Sequence, residues 1–176
     1  MAAVGLALAL DVLFQPWAVL AYALCIAVMA RKPWLVLGVA GAALTTHWLK
    51  PLFAVSRPSG GAIAESSYSF PSGHATAAAA LAGLLILVWP RWWAISTGVL
   101  LALLVGWSRV HLGVHRPVDI AAGYAVGAAW MYVLHLLRGE QILDVAVEEP
   151  SQIKGQGQGR VEAPLLDGND CLAGDA

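Results

Sequence analysis

An all-α, integral-membrane helical bundle of five to six transmembrane helices is the fold class the sequence predicts, on three observations. Hydrophobic residues make up 59% of the 176 and charged residues 12%, whereas a soluble domain usually carries about 25% charged residues. Five runs lack Asp, Glu, Lys and Arg altogether: 12–30, 33–49, 66–90, 92–108 and 120–137. Each is close to the roughly 20 residues that a helix needs to cross the hydrocarbon layer. Small residues recur at helical spacing in "HATAAAALAG" and at Gly123 and Gly127 of "AGYAVGAAW", which permits close helix approach where the hydrophobic effect cannot drive packing.

Taken in order, the spans are expected near 12–31, 33–54, 72–90, 91–109 and 117–138. The stretch "MAAVGLALALDVLF" before Pro16 is too short to cross alone, so it either prolongs the first helix past a kink or lies in the interface. Without a basic n-region it reads as a retained segment rather than a cleaved signal. Asp11 within it reads as a headgroup-level residue. Trp17, Trp34, Trp89, Trp92, Trp93 and Trp107 fall near span ends, where an amphipathic ring suits the headgroup level. The membrane domain is 1–139; residues 140–176 are acidic, lack a sustained hydrophobic period and read as a disordered tail. Cys25 and Cys171 give neither a metal-ligand spacing nor a disulfide framework.

The formal net charge of −1 conceals a split, since residues 1–139 hold eight Lys/Arg against three Asp/Glu and 140–176 hold two against eight. Arg31, Lys32, Arg91 and Arg138 lie at one set of span ends, which the positive-inside rule places in the cytoplasm. The opposite, outward loops also contain Lys50, Arg57, Arg109 and Arg116. The rule is usable only if those four have another task.

With five alternating spans, three polar clusters share that outward face: "KPLFAVSRP" (50–58), "YSFPSGHA" (68–75) and "SRVHLGVHRPVD" (108–119). Ionisable residues at membrane depth are costly and mark function. Lys50, Arg57 and Arg109 have no carboxylate in their clusters except Asp119, so they repel one another unless an anion joins them. Phosphate is the natural guest. Pro71-Ser72-Gly73 leads into an apolar helix, whose first N–H groups and the Ser72 hydroxyl can cradle the same anion; Gly73 lets the backbone come close. Of two imidazoles, His74 and His115, one can attack while the other protonates the leaving oxygen. Asp119, four residues beyond His115, can accept the Nδ1 proton and leave Nε2 free. Pro117 suits the first turn of the next helix, which puts Asp119 within that turn.

These residues resemble the type 2 phosphatidic acid phosphatases, which share an active site with vanadium haloperoxidases. The family pattern K-x6-R-P, P-S-G-H and S-R-x5-H-x3-D occurs in order as Lys50 to Arg57-Pro58, Pro71 to His74, and Ser108-Arg109 to His115 to Asp119. The resemblance covers about residues 33–138. It implies that His115 is the nucleophile that forms a phosphohistidine, His74 the general acid and then the base for water, and Asp119 the partner of His115. It makes Lys50, Arg57 and Arg109 the clamp on the phosphoryl oxygens, completed by Ser72 and Gly73. Such a clamp stabilises transition-state charge where a metal otherwise would, so no metal or other cofactor is expected. The implied substrates are lipid phosphates or diphosphates such as undecaprenyl diphosphate, phosphatidylglycerol phosphate, phosphatidic acid or a lipid A phosphate. They would enter sideways from the bilayer at the outer face of a bacterial cytoplasmic membrane. No nucleic-acid partner is expected, and the oligomeric state is left open. Many relatives have six spans, against five counted here plus the apolar N-terminal extension.

Two other functions compete. A vanadate-dependent haloperoxidase would share the clamp, but the resemblance implies larger, soluble chains there. A non-catalytic lipid-phosphate binding or transport protein would need the cations but not both histidines and Asp119. Of the remaining polar residues, His111 reads as structural or substrate-facing, Arg116 as a headgroup contact, and Glu65 as facing water. His47 and His135 are assigned nothing.

Overall fold

A computed structural model describes residues 2–153, with side-chain surroundings through residue 137. The described residues form α1 (Ala2–Leu13), α2 (Pro16–Met29), a 3₁₀ turn (Pro33–Leu35), α3 (Val36–Phe53), α4 (Gly73–Val88), α5 (Trp92–His111) and α6 (Pro117–Ile153). No strand occurs among them. The expected first span, 12–31, starts inside α1 and is interrupted: α1 and α2 are bent by 62° at their break. Pro16, which has no N–H to continue a helix, opens α2. Helix α1 and the turn that ends it bury one stripe, Ala7, Leu10 and Phe14 with Asp11 half-buried beside them, the i, i+3, i+4, i+7 spacing of a single helix face. Ala7 packs with Leu112 and Val114, just before His115, and with Ile63.

Helix α3 carries Pro51 in its last turn and closes with Ala54 in the left-handed region at φ 47°. The Ala54 N–H donates to the Lys50 carbonyl at 2.9 Å. Lys50 therefore stands at a helix C-terminus, where the dipole favours a cation. Helix α4 is the central element, packed on α2, α3 and α5, with Ala75, Ala77, Ala78, Ala80, Leu81 and Leu84 buried. Small residues on α6 admit it from the other side. A Cβ at Gly123 would fall 2.6 Å from the Ser72 carbonyl oxygen, and one at Gly127 would fall 2.5 Å from that of Thr76. The small-residue spacing thus marks a true backbone approach.

The distribution of polarity is inverted relative to a soluble protein. Trp17, Met29, Leu52 and Trp92 are exposed, while His74, Arg109, His115 and Asp119 are buried. An apolar exterior around ionisable residues suits a bilayer as surroundings. By length and composition, α5 and the Pro117–Leu137 part of α6 are able to cross a membrane, and α1 with α2 adds a third crossing if the bent pair is one span. Helix α4 has 16 residues, shorter than the roughly 20 of a full crossing. The site lies within the compact unit Met1–Gly139. Where a disordered tail is expected from 140, helix α6 runs on to Ile153; the rest of that tail, 154–176, lies outside the described residues.

Candidate active site

The three clusters meet where α3 ends, α4 begins and α5 turns into α6. The cations come first. Arg109, in the last turn of α5, has no exposed surface. Its Nη2 donates to Glu65 Oε1 at 2.7 Å and its Nη1 donates to Asp11 Oδ1. Its Nε is buried with no hydrogen-bond partner among the described residues. Arg57, in the loop after α3, donates from Nε to the Ser67 carbonyl at 2.8 Å and from Nη1 to the Val114 carbonyl at 3.0 Å. Glu65 joins the two guanidinium groups, since its Oε2 also lies 3.4 Å from Arg57 Nη2. Lys50 donates to the Tyr68 carbonyl. A cavity of about 450 Å³ opens beside them, lined by His47, Lys50, Arg57, Glu65 and Tyr68 among others. A second, of about 240 Å³, is lined by Pro16, Ala43, Thr46, His47, Lys50 and Gly73.

His115 sits in the short loop before α6 and is buried. Arg57 Nη1 stands 3.1 Å from its Nε2. A guanidinium can only donate, so Nε2 must carry the lone pair and Nδ1 the proton. Nδ1 lies 3.5 Å from Asp119 Oδ2, an ion-pair distance without hydrogen-bond alignment, which leaves Nδ1 without a close partner. Asp119 is held by donors from two directions, Ser69 Oγ at 3.0 Å and the Arg116 N–H at 2.9 Å. Burial, and then the charges of Arg57, Arg109 and Lys50, hold His115 far below the ordinary histidine pKa. The ring is therefore a neutral base whose lone pair faces the cations.

Ser72 caps α4 weakly, accepting from the Ala75 N–H at 3.5 Å. Its own N–H donates to the Asp119 carbonyl at 3.0 Å, which ties the start of α4 to the start of α6. Ser72 is fully buried, whereas Gly73 lines the smaller cavity. His74, in the first turn of α4, points Nε2 at two acceptors of Asp11: its carbonyl at 3.1 Å and its Oδ1 at 3.2 Å. Two acceptors on one ring nitrogen require a proton there.

Two residues assigned elsewhere by sequence belong to this site. Asp11, expected at headgroup level, instead touches Arg109 and His74, because the α1–α2 bend folds α1 back onto α5. Glu65, expected to face water, instead bridges Arg57 and Arg109, whose buried charges draw it in. The signal was in the composition: 1–139 contains only three carboxylates, Asp11, Glu65 and Asp119, and a buried cation cluster demands counter-charge. Ligand atoms of Asp11, Glu65 and His74 lie within 4.8 Å of one another. This donor set could in principle take a cation, but the Arg109 guanidinium already bridges both carboxylates. Arg116 donates to the Ser56 carbonyl at 3.1 Å, and His111 stacks on Trp107 at 4.9 Å.

A family model described as the PAP2 superfamily matches residues 31–142. An undecaprenyl-diphosphatase from Sulfolobus acidocaldarius is 38% identical over 90 residues, which are 51% of this chain and 38% of that relative. A decaprenylphosphoryl-5-phosphoribose phosphatase from Mycobacterium tuberculosis is 38% identical over 122 residues, 64% of this chain and 66% of the relative. The chain thus spans well under two thirds of the length of the first of these. The crystal structure of a transmembrane PAP2-type phosphatidylglycerolphosphate phosphatase from Bacillus subtilis superposes with a TM-score of 0.62 at 26% identity, covering 79% of this chain and 85% of that one.

Proposed function

The chain belongs to the PAP2 superfamily, and on that premise we propose that it is a membrane-embedded phosphatase that removes the terminal phosphate of a lipid phosphate or diphosphate without a metal. The observation that carries the reading is the Arg57 contact to His115 Nε2. It directs a nucleophilic lone pair to the place where guanidinium groups would hold a phosphoryl group. Nε2 attacks phosphorus, the bond to the lipid oxygen breaks, and His74 gives that oxygen a proton. The P–N bond of the resulting phosphohistidine is then broken by water, whose proton returns to His74, and inorganic phosphate leaves. Asp119 stabilises the charge that develops on the His115 ring. Lys50, Arg57 and Arg109 offset charge on the equatorial oxygens, so positioning and electrostatics replace a metal.

The proposed substrate class is drawn by analogy from relatives named as an undecaprenyl-diphosphatase, a decaprenylphosphoryl-5-phosphoribose phosphatase and a phosphatidylglycerolphosphate phosphatase. It is supported by the smaller cavity beside Lys50, whose apolar wall of Pro16 and Ala43 suits a lipid arriving from the side. We place the enzyme in the cytoplasmic membrane with its site facing outward. The test is phosphate release by the purified full-length chain from a panel of lipid phosphates, in EDTA, beside His115→Ala. Release from at least one lipid, retained in EDTA and lost in the variant, is expected. Loss with EDTA would overturn the metal-free mechanism, and full activity in the variant would overturn the nucleophile.

A further inference from the structure

Asp11 lies outside the residues matched to the family, yet its carboxylate occupies the corner between Arg109 and His74. These are two groups that, in the reading above on which this inference rests, must hold the phosphoryl group and the leaving oxygen. A single carboxylate oxygen, Oδ1, touches both. A phosphoryl oxygen shared by the clamp and the general acid would need the same position. We infer that Asp11 is a specificity-determining residue, a tethered carboxylate that competes with phosphate for Arg109 and His74 and so weakens the site's hold on free inorganic phosphate.

Charge balance supports this. With His115 neutral, Lys50, Arg57 and Arg109 are matched by Asp11, Glu65 and Asp119, so beyond the proton that His74 carries as general acid the site has no excess charge to attract a further anion. A dianion gains most when one carboxylate yields its place. Glu65 is fixed between two arginines and holds the clamp together. Asp119 is locked by Ser69 and the Arg116 N–H. Asp11 is the one carried on a short helix anchored by a single stripe beside a bend, so it can withdraw without disturbing the other two. The unpartnered Nε of buried Arg109 is a further donor for the incoming anion.

The competitor's strength is that of an intramolecular ligand. A lipid substrate meets it on equal terms, being concentrated in the membrane with its chains seated beside α2 and α3. Free phosphate has no such anchor. After hydrolysis the same carboxylate returns to Arg109 and His74, and the product leaves.

Binding of inorganic phosphate to the purified full-length protein in detergent, measured by calorimetry, tests this directly and does not depend on turnover. Asp11→Asn, close in shape but uncharged, is expected to bind phosphate about tenfold more tightly or better, ~1.4 kcal/mol. Asp11→Glu, which keeps the charge, is expected to stay within about threefold of wild type. Asp11→Ala is a second neutral variant in case the asparagine disturbs packing. Product inhibition of lipid hydrolysis should tighten in parallel. Unchanged or weaker phosphate binding in the folded neutral variants overturns the inference while leaving the phosphatase reading intact. Tighter binding in the neutral variants with no hydrolysis of any lipid by wild type would sink the phosphatase reading and uphold Asp11 as a phosphate competitor.

Discussion

His115 carries the sharpest residue-scale expectations, because its Nε2 lone pair, its depressed pKa and its burial all concern one ring. Asp119→Asn keeps the shape but removes the charge that would stabilise a reacting imidazole. Lipid phosphate hydrolysis should fall by roughly 10² or more in kcat, with a smaller change in KM. Equal kcat in the variant would show that Asp119 only packs. A second expectation concerns stability. A histidine in an unfolded chain titrates near pH ~6.5, while folded His115 stays neutral well below that. As pH falls below about 6.5 the unfolded state takes up a proton that the folded state refuses, so stability drops, whereas above that pH this contribution is flat. Thermal unfolding in detergent from about pH 7.5 to about pH 5 should therefore slope less for His115→Asn than for wild type. Identical slopes would mean that folded His115 takes up a proton as readily as it does in the unfolded chain. Lys50, Arg57, His74, Arg109, His115 and Asp119 were legible because their spacing repeats a family pattern. Asp11 and Glu65 were not, since each stands alone in its segment with no partner at helical or motif spacing. Only the shortage of carboxylates pointed to them.

Elements show a similar division. The spans drawn from the uncharged runs located α3, α4, α5 and the start of α6 to within a few residues, because a helix buried on all sides or facing lipid leaves little charge in its interior. The α1–α2 break was only partly legible. Pro16 announced an interruption, but the 62° bend that folds α1 over the site depends on Ala7 meeting Leu112 and Val114, a contact between distant residues. That helices approach closely at Gly123 and Gly127 was readable from their spacing, while their partner, α4, came from the structure, and this contact makes a prediction of its own. Gly127→Leu would place side-chain atoms on the Thr76 carbonyl and push α6 from α4, at a cost typical of overpacking, about 1–3 kcal/mol. Because Asp119 opens α6 and its carbonyl receives the Ser72 N–H, activity should fall with stability. Gly5→Leu, where a side chain would meet nothing, serves as the control. An active, stable Gly127→Leu would show that the close approach is not required.

At the scale of the whole molecule, orientation in the membrane depends on which cations are free to act on topology. Lys50, Arg57, Arg109 and Arg116 all donate to named carbonyls or carboxylates of the site and its loops. Counting them with the topogenic residues would cancel the charge difference between the two faces. Removing them leaves Arg31 and Lys32 between α2 and α3, Arg91 between α4 and α5, and Arg138, which follows the Pro117–Leu137 span within α6, all at the span ends away from the motifs. The cation excess at those ends favours the cytoplasm, in keeping with the outward-facing site proposed above. Single cysteines in a chain whose Cys25 and Cys171 are replaced by serine report which face each loop occupies. Ser59→Cys, in the exposed loop after Arg57, should react with a membrane-impermeant thiol reagent added to intact cells. Arg91→Cys, also exposed, should react only after the cells are opened. The reverse pattern would place the clamp inside. It would show that the four site cations do act on insertion even though each is paired in the folded protein, which is physically reasonable because insertion precedes the pairing.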